Sequence, residues 1–321
     1  MNQLRNCLAP AKLNLFLHIV GLRPDGYHEL QSVMVLTDWC DMLHFTTTDN
    51  GEIGRVSEHV YANAQNDIVV KAAQLLQTQF SVSKGVLIEI DKKIPCGAGM
   101  GGGSSDAATT LFALNHLWGL GLNRRQLMAI GARLGADVPF FLSGGSAFIE
   151  GVGEKIIPIQ LPKFEFLVCY PWLVANTAKI FKAFDAVLGL TGFRKKIRID
   201  DFLEAVSGGS SDIGSLELYV NDLQPIAVKV FPELGQFYTQ LKKYGIPKMT
   251  GSGSTFFVHQ VGDKNQINKD CLARLGITKH VKTLDSHPFI VYDEWGVAKL
   301  VKAPDFDSGM RRFESFFPSQ E

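Results

Sequence analysis

The sequence predicts an α+β protein of two domains, on three observations. The chain has 321 residues, 46% of them apolar, enough for two ordinary cores. Its first half holds a period-two strand and then a strand, a glycine-rich loop and a helix in succession. After Leu161-Pro162, the expected boundary, the order becomes strand, helices, hairpin, helix, strand, that of a ferredoxin-like sandwich.

Along the chain, Leu8 to Val20 alternates: Leu13, Leu15, Leu17 and Ile19 on one face, Lys12, Asn14, Phe16 and His18 on the other. This is a strand that projects Lys12 and Asn14 together, a pair suited to a phosphate or a hydroxyl-bearing substrate; the alternative is an exposed edge-strand lysine. Pro24-Asp-Gly26 is a turn, and Tyr27-His28 opens the next strand, able to hold a polar ring or simply to brace the turn. Ser32 to Thr48 reads as strand, turn and strand. A helix capped by Asn66 runs to Gln77, with Ile68, Ala72, Leu75 and Leu76 inward.

Val86 to Ile90 is a strand, and it leads into Pro95-Cys-Gly-Ala-Gly-Met-Gly-Gly-Gly-Ser-Ser-Asp-Ala-Ala108. Glycines at 97, 99, 101, 102 and 103 let backbone amides approach a ligand, at a helix N-terminus whose dipole favours an anion. Ser104 and Ser105 can cap the helix and offer hydroxyls. The loop therefore reads as a phosphate cradle. Gly97, Gly99 and Gly102 also match a dinucleotide fingerprint, but the next segment, Gly119 to Gln126, lacks the strand that fingerprint needs. A Walker A loop is excluded because its Gly-Lys-Ser/Thr is absent. Ala107, Ala108, Leu111, Phe112, Leu114 and Trp118 form the buried stripe of the following helix.

Asn123-Arg-Arg-Gln126 is a capping box opening a helix to Leu134. Asp137 lies among Gly135, Ala136, Val138 and Pro139-Phe-Phe-Leu142; partial desolvation would raise its pKa and suit a general base, whereas the alternative is a helix cap. Ser143 to Gly153 reads as a glycine-rich strand pair. Beyond the boundary come a strand from Phe164 to Tyr170, a helix from Asn176 to Leu188, helix from Leu218 to Tyr244 broken at Pro225 and Pro232, and a small-residue loop at Thr250-Gly-Ser-Gly-Ser-Thr255 entering a strand. A helix at Asn268–Leu275 and a strand at His280–Leu284 complete the pattern.

Basic and acidic residues balance at 32 each, so no global field favours nucleic acid or a membrane surface, and the cluster at Arg194–Arg198 reads as a solvated face. Five dispersed cysteines, without a Cys-x-x-Cys pair, fit reduced thiols in a cytoplasmic protein; Cys96 reads as a small filler. The eight histidines show no metal-ligand spacing. No signal peptide and no apolar run of membrane-spanning length is visible.

Three segments, Pro10-Ala-Lys-Leu-Asn-Leu15, Pro95 to Ala108 and Thr250 to Thr255, occur in the order and character of the three motifs of the GHMP small-molecule kinase superfamily, which this chain resembles over about residues 8 to 285. Gly26-Tyr-His28 and Leu134-Gly-Ala-Asp-Val-Pro139 narrow the resemblance to the branch that phosphorylates a cytidine-diphosphate-linked methylerythritol in non-mevalonate isoprenoid synthesis. The resemblance implies an N-terminal ATP-binding domain with a mixed or antiparallel sheet over 1–161, a ferredoxin-like domain over 162–290, and an active site in the cleft between them. It implies ATP as co-substrate, with Mg2+ held mainly by its phosphates, and a monomer or homodimer. By motif, Asp137 would take the proton of the substrate 2-hydroxyl, Lys12 would lie beside that hydroxyl and the γ-phosphate, and Asn14 would position the substrate. Tyr27, His28, Thr177 and Phe181 would bind the cytidine end. Pro95, Gly97, Gly99, Gly101, Gly102, Gly103, Ser104 and Ser105 would hold the ATP phosphates, and Asn66 and Lys92 the adenosine. A kinase for another alcohol and a non-catalytic nucleotide-binding module are the alternatives.

From about Val291 the resemblance stops. The tail is readable as a translated transfer-RNA gene: Arg312-Phe-Glu-Ser315 can be encoded AGG-TTC-GAG-TCC, which contains a T-arm sequence, while TGG-GGT for Trp295-Gly296 can pair with TTC-CCC-AGC-CAA for Phe317 to Gln320 as an acceptor stem ending in CCA. An ordinary C-terminal extension is the alternative; a translated tail would be peripheral or weakly ordered.

Overall fold

The computed structural model describes residues 2–56, 67–207, 219–259, 276–292 and 298–300. Two long antiparallel strands dominate it: β1 (Gln3–Leu22) and β2 (His28–Thr48). Their turn is set by Asp25, whose carboxylate accepts the Tyr27 amide, and by Gly26 at φ 84°.

β2 is continuous where the sequence suggested strand, turn and strand. The register shift opposite Pro10 and Lys12 explains this: two residues of β1 span Cys40 to Leu36, so the extra length of β2 is absorbed as a bulge. Pro10 sits at that irregularity, where a missing N–H does least harm. A second shift, between Asn14 and Phe16, breaks the alternation read from the sequence, and Phe16 joins the same core as Leu13 and Leu15. β1 is buried on both faces from Ala9 to Ile19, so Lys12 is no edge-strand lysine.

β3 (Ile53–Val56), unforeseen in the sequence, pairs parallel with β4 (Gly85–Asp91), which pairs antiparallel with β2. β5 (Ala147–Gly151) also pairs with β2, and β6 (Lys155–Pro158) with β5. Over this sheet pack α1 (Ile68–Gln79), α2 (Gly102–Leu117), α3 (Arg124–Gly131) and α4 (Val138–Ser143). The cap of α1 is Asp67, not Asn66: its side chain accepts the Val69 amide and pairs with Arg55. Asn66 itself lies outside the described residues. The α3 capping box is present in both directions, although the helix ends at Gly131 rather than Leu134. The α2 stripe is buried as expected, with Trp118 only partly so.

The second half contributes β7 (Glu165–Tyr170), α5 (Thr177–Thr191), α6 (Ile199–Ser207), α7 (Gln224–Val230), α8 (Pro232–Leu241), β8 (Lys248–Met249), β9 (Phe256–His259) and β10 (Ile277–Leu284). Of the helix expected from Leu218 to Tyr244, Leu218 lies outside the described residues and Tyr219 to Leu223 are not helical; α7 begins at Gln224, with prolines early in α7 and α8. β10 pairs with β7 and, at Thr283 and Leu284, with β2, so one sheet path runs β3-β4-β2-β10-β7-β9-β8 through both halves. The helix expected at Asn268–Leu275 lies outside the described residues. β11 (Ile290–Tyr292) and β12 (Ala298–Leu300) form a separate pair; the rest of the tail beyond Tyr292 also lies outside the described residues.

Candidate active site

The glycine loop after β4 winds through alternate left-handed residues: Gly97, Gly99 and Gly101 have φ of 66°, 77° and 70°. Only glycine adopts such a run at little cost. Space matters as much: a Cβ on Gly99 would lie 2.7 Å from the carbonyl oxygens of both Thr250 and Gly253. The loop around Thr250–Thr255 therefore presses directly on the cradle, and the Thr255 amide donates to Ala98 O at 3.3 Å.

α2 starts with Gly101 as its cap, in the left-handed region and without a side-chain cap bond. Ser104 and Ser105 are thus not caps but first-turn residues. Ser105 is fully buried, and its Oγ has no partner. The amides of this turn are left for a ligand, as anion binding at a helix N-terminus requires.

β1 brings the first motif to the same place. The Lys12 amide donates to Met100 O, and its side chain turns inward, only 5% exposed. Lys12 Nζ donates to Asn14 Oδ1 at 2.5 Å and stands 3.7 Å from Asp137 Oδ2. Asn14 is itself fixed: Nδ2 donates to Ser32 Oγ, its amide to Thr250 Oγ1, and Thr250 Oγ1 to its Oδ1. Ser32, on the neighbouring strand, and Thr250, 236 residues along the chain, escaped sequence reasoning as supports for Asn14, because a partner brought in by strand pairing or the tertiary fold leaves no local signal.

Asp137 differs from the helix-cap alternative: it occupies the cap position of α4 but makes no cap bond, and its side chain is 34% exposed, partly desolvated. It is a partly open acid facing a buried ammonium. An attractive pair in a cleft of reduced dielectric holds both groups in one geometry.

Lys92 also differs. It does not stand free for a ligand: Nζ donates to Asp41 Oδ2 at 2.5 Å and to Asp106 Oδ2 at 2.8 Å. Asp41, fully buried, additionally accepts the Lys93 and Ile94 amides. Burial pushes Asp106 above the usual carboxylate range, against the pull of Lys92. The cluster clamps the base of the cradle, joining β2, the end of β4 and α2. Asp106 lies within the quoted loop motif, but Asp41 was not singled out in the sequence, since its partners Lys92 and Lys93 lie 51 and 52 residues away. Cys96 is exposed, so the filler reading fails.

At the other end, His28 packs against Phe181 with ring centroids 4.9 Å apart and meets Phe184 edge-on. Tyr27, which precedes His28, is 65% exposed. Thr177 Oγ1 lies 2.6 Å from Ser252 Oγ, tying α5 to the loop that supports the cradle. Val174 touches Gly97 closely enough to forbid a side chain there. Among the described residues no group of three His, Cys, Asp or Glu side chains could hold a metal ion, and no helix is long and apolar enough to cross a membrane.

Comparison with known proteins agrees with this geometry. Residues 67–145, which hold the cradle and Asp137, match the model of the GHMP kinases N terminal domain. The 4-diphosphocytidyl-2-C-methyl-D-erythritol kinase of Burkholderia cenocepacia is 49% identical over 255 residues, covering 79% of this chain and 85% of the relative. The chain belongs to the 4-diphosphocytidyl-2-C-methyl-D-erythritol kinase family. A relative of the same name from Herminiimonas arsenicoxydans is 48% identical over 257 residues, 79% of this chain and 85% of the relative. A crystal structure of 4-(cytidine 5'-diphospho)-2C-methyl-D-erythritol kinase superposes with a TM-score of 0.72 at 31% identity, covering 86% of this chain and 98% of that one. A crystal structure of L. major mevalonate kinase shares the fold alone, at a TM-score of 0.64 and 15% identity over 87% of this chain and 96% of that one. The chain is thus a GHMP-type small-molecule kinase.

Proposed function

We propose that this kinase transfers the γ-phosphoryl group of ATP to the 2-hydroxyl of 4-diphosphocytidyl-2-C-methyl-D-erythritol, giving the 2-phosphate and ADP, a step of non-mevalonate isoprenoid precursor synthesis. The single observation that carries the reading is the approach of Lys12 Nζ to Asp137 Oδ2, 3.7 Å, beside a loop of left-handed glycines that leads into the N-terminus of α2.

In this reading the substrate hydroxyl lies between the two. Asp137 accepts its proton as the new P–O bond forms, and its partial exposure leaves room for the alcohol. Lys12 steadies charge on the transferring phosphoryl, and Asn14 keeps the ammonium aimed. The loop from Pro95 to Ser105 holds the phosphates. Mg2+ would arrive with the nucleotide, whose oxygens would supply most of its ligands. Lys92 acts by holding the cradle through Asp41 and Asp106; Asn66 is retained as an adenosine contact on motif alone. Tyr27, His28, Thr177 and Phe181 form the cytidine end. The division at Leu161-Pro162 and a cytoplasmic location belong to the same reading.

The test is ADP release with the cytidine-diphosphate-linked substrate against a panel including mevalonate and homoserine. Preference for either of the latter would overturn the assignment.

A further inference from the structure

We propose that Asp185 fixes the tautomer of His28 and so makes the nucleoside pocket select cytosine over uracil; the inference rests on the cytidine reading of that pocket. Asp185 lies on α5, and its Oδ1 is 2.7 Å from His28 Nε2. The His28 side chain is 10% exposed and wedged against Phe181 and Phe184, so the ring cannot turn freely. A carboxylate only accepts, hence Nε2 carries the proton. In the neutral ring Nδ1 is then a lone pair, and no group among the described residues pairs with it. An acceptor there matches the 4-amino group of cytosine and opposes the 4-carbonyl of uracil.

Asp185 is therefore a positioning residue. Without it the two tautomers of His28 become comparable, and the donor form suits uracil. Calorimetric binding of CDP and UDP to the protein and to Asp185→Ala tests this. The CDP:UDP affinity ratio should fall by about tenfold or more in Asp185→Ala, the worth of one mismatched buried hydrogen bond. A merely structural role would weaken both ligands equally, and an unchanged ratio overturns the proposal. Nitrogen NMR of the His28 ring gives a second readout: a proton found on Nδ1 of the unsubstituted protein overturns it as well. His28→Ala separates the two levels. If it leaves CDP binding intact, the cytidine pocket itself is wrong; if it abolishes CDP preference while Asp185→Ala does not, only the role of Asp185 fails.

A different observation carries a second inference. We infer that Trp295 to Gln320 is the translation of a transfer-RNA gene. Pro304-Asp-Phe-Asp-Ser-Gly309, read CCG-GAT-TTT-GAT-TCC-GGN, folds as CCGGA and TCCGG around the loop TTTTGAT. With serine as TCN, every pair of that stem except the middle one is dictated by first and second codon bases, whatever the codon choice. The loop has T at its second place and reads T-T-G or T-C-G at the anticodon. Arg311 to Phe316, read CGA-AGG-TTC-GAG-TCC-TTC, gives GAAGG and CCTTC around TTCGAGT, the form of a T arm, at the spacing a short variable loop requires. The curated relatives align over 79% of the chain, which leaves room for such an addition. Sequencing the coding DNA and probing the RNA test it. Complementary third bases in each stem and a mature RNA ending at the CCA of Ser319-Gln320 are expected; mismatched third bases in the two stems overturn the inference.

Discussion

Replacing Asp137 by Asn removes one negative charge from the cleft and leaves the shape unchanged. At 3.7 Å from Lys12, an effective dielectric of 20 gives an attraction of about 4 kcal/mol. The acid is a third exposed, so solvent screening reduces its net contribution to folding to roughly 1 kcal/mol. Lys12 also keeps its bond to Asn14, so the buried ammonium is not stranded. The rate should suffer more: loss of a general base lowers turnover roughly 10²–10⁴-fold, or about 3–5 kcal/mol of barrier. Coupled ADP release reads turnover, a fluorescent ATP analogue reads nucleotide binding, and thermal melting reads the fold. The expectation is near-complete loss of turnover, ATP affinity within a few-fold, and a midpoint within about 4 °C. Turnover within about tenfold of the unsubstituted protein would refute the base assignment.

Gly99→Ala forces a side chain into the two carbonyls beneath the loop, at φ 77°, and should weaken ATP binding at least about tenfold, whereas Gly103→Ala, with nothing nearer than 3.8 Å, should cost little; titration with the ATP analogue compares them. Asp41→Ala leaves the Lys93 and Ile94 amides without their acceptor and Lys92 with Asp106 alone, and urea unfolding should register a loss of about 2–5 kcal/mol. His287 is fully buried and burial drives its pKa down to about 3. The folded chain therefore binds fewer protons than the unfolded one below pH 6.5, so stability should fall as pH drops from 6.5 towards 3, by at most about 1.4 kcal/mol per unit from this group. Urea midpoints at pH 7 and 5 for the protein and His287→Gln would show it; equal slopes in both would reject the attribution.

Local chemistry was legible in the sequence. The glycine run and the capping box at Asn123 each depend on neighbours within a few residues, and each is present. What was not legible depends on partners far along the chain. The continuity of β2 follows from the bulge opposite Pro10, and the burial of Lys12 from β2 on one side and the 250–255 loop on the other. Asp67 outcompeted Asn66 as cap because Arg55, on β3, rewards a carboxylate at that position. That Asp137 occupies the cap position of α4 without capping it depends on side-chain direction, which leaves no mark in the sequence; its neighbours Phe140 and Phe141 are buried in the main core.

Asn14 leans on Thr250, and Ala98 receives the amide of Thr255, so the first motif and the middle one are both completed by the last. On the ribosome, a nascent chain that has emerged only as far as β6 has Lys12 and its glycine run, held by Ser32 and the Lys92 cluster, but lacks the contacts that the 250–255 loop adds to both. Nucleotide should therefore offer no protection to stalled or prematurely terminated fragments, and the cell gains a kinase that stays silent until almost all of it has been made.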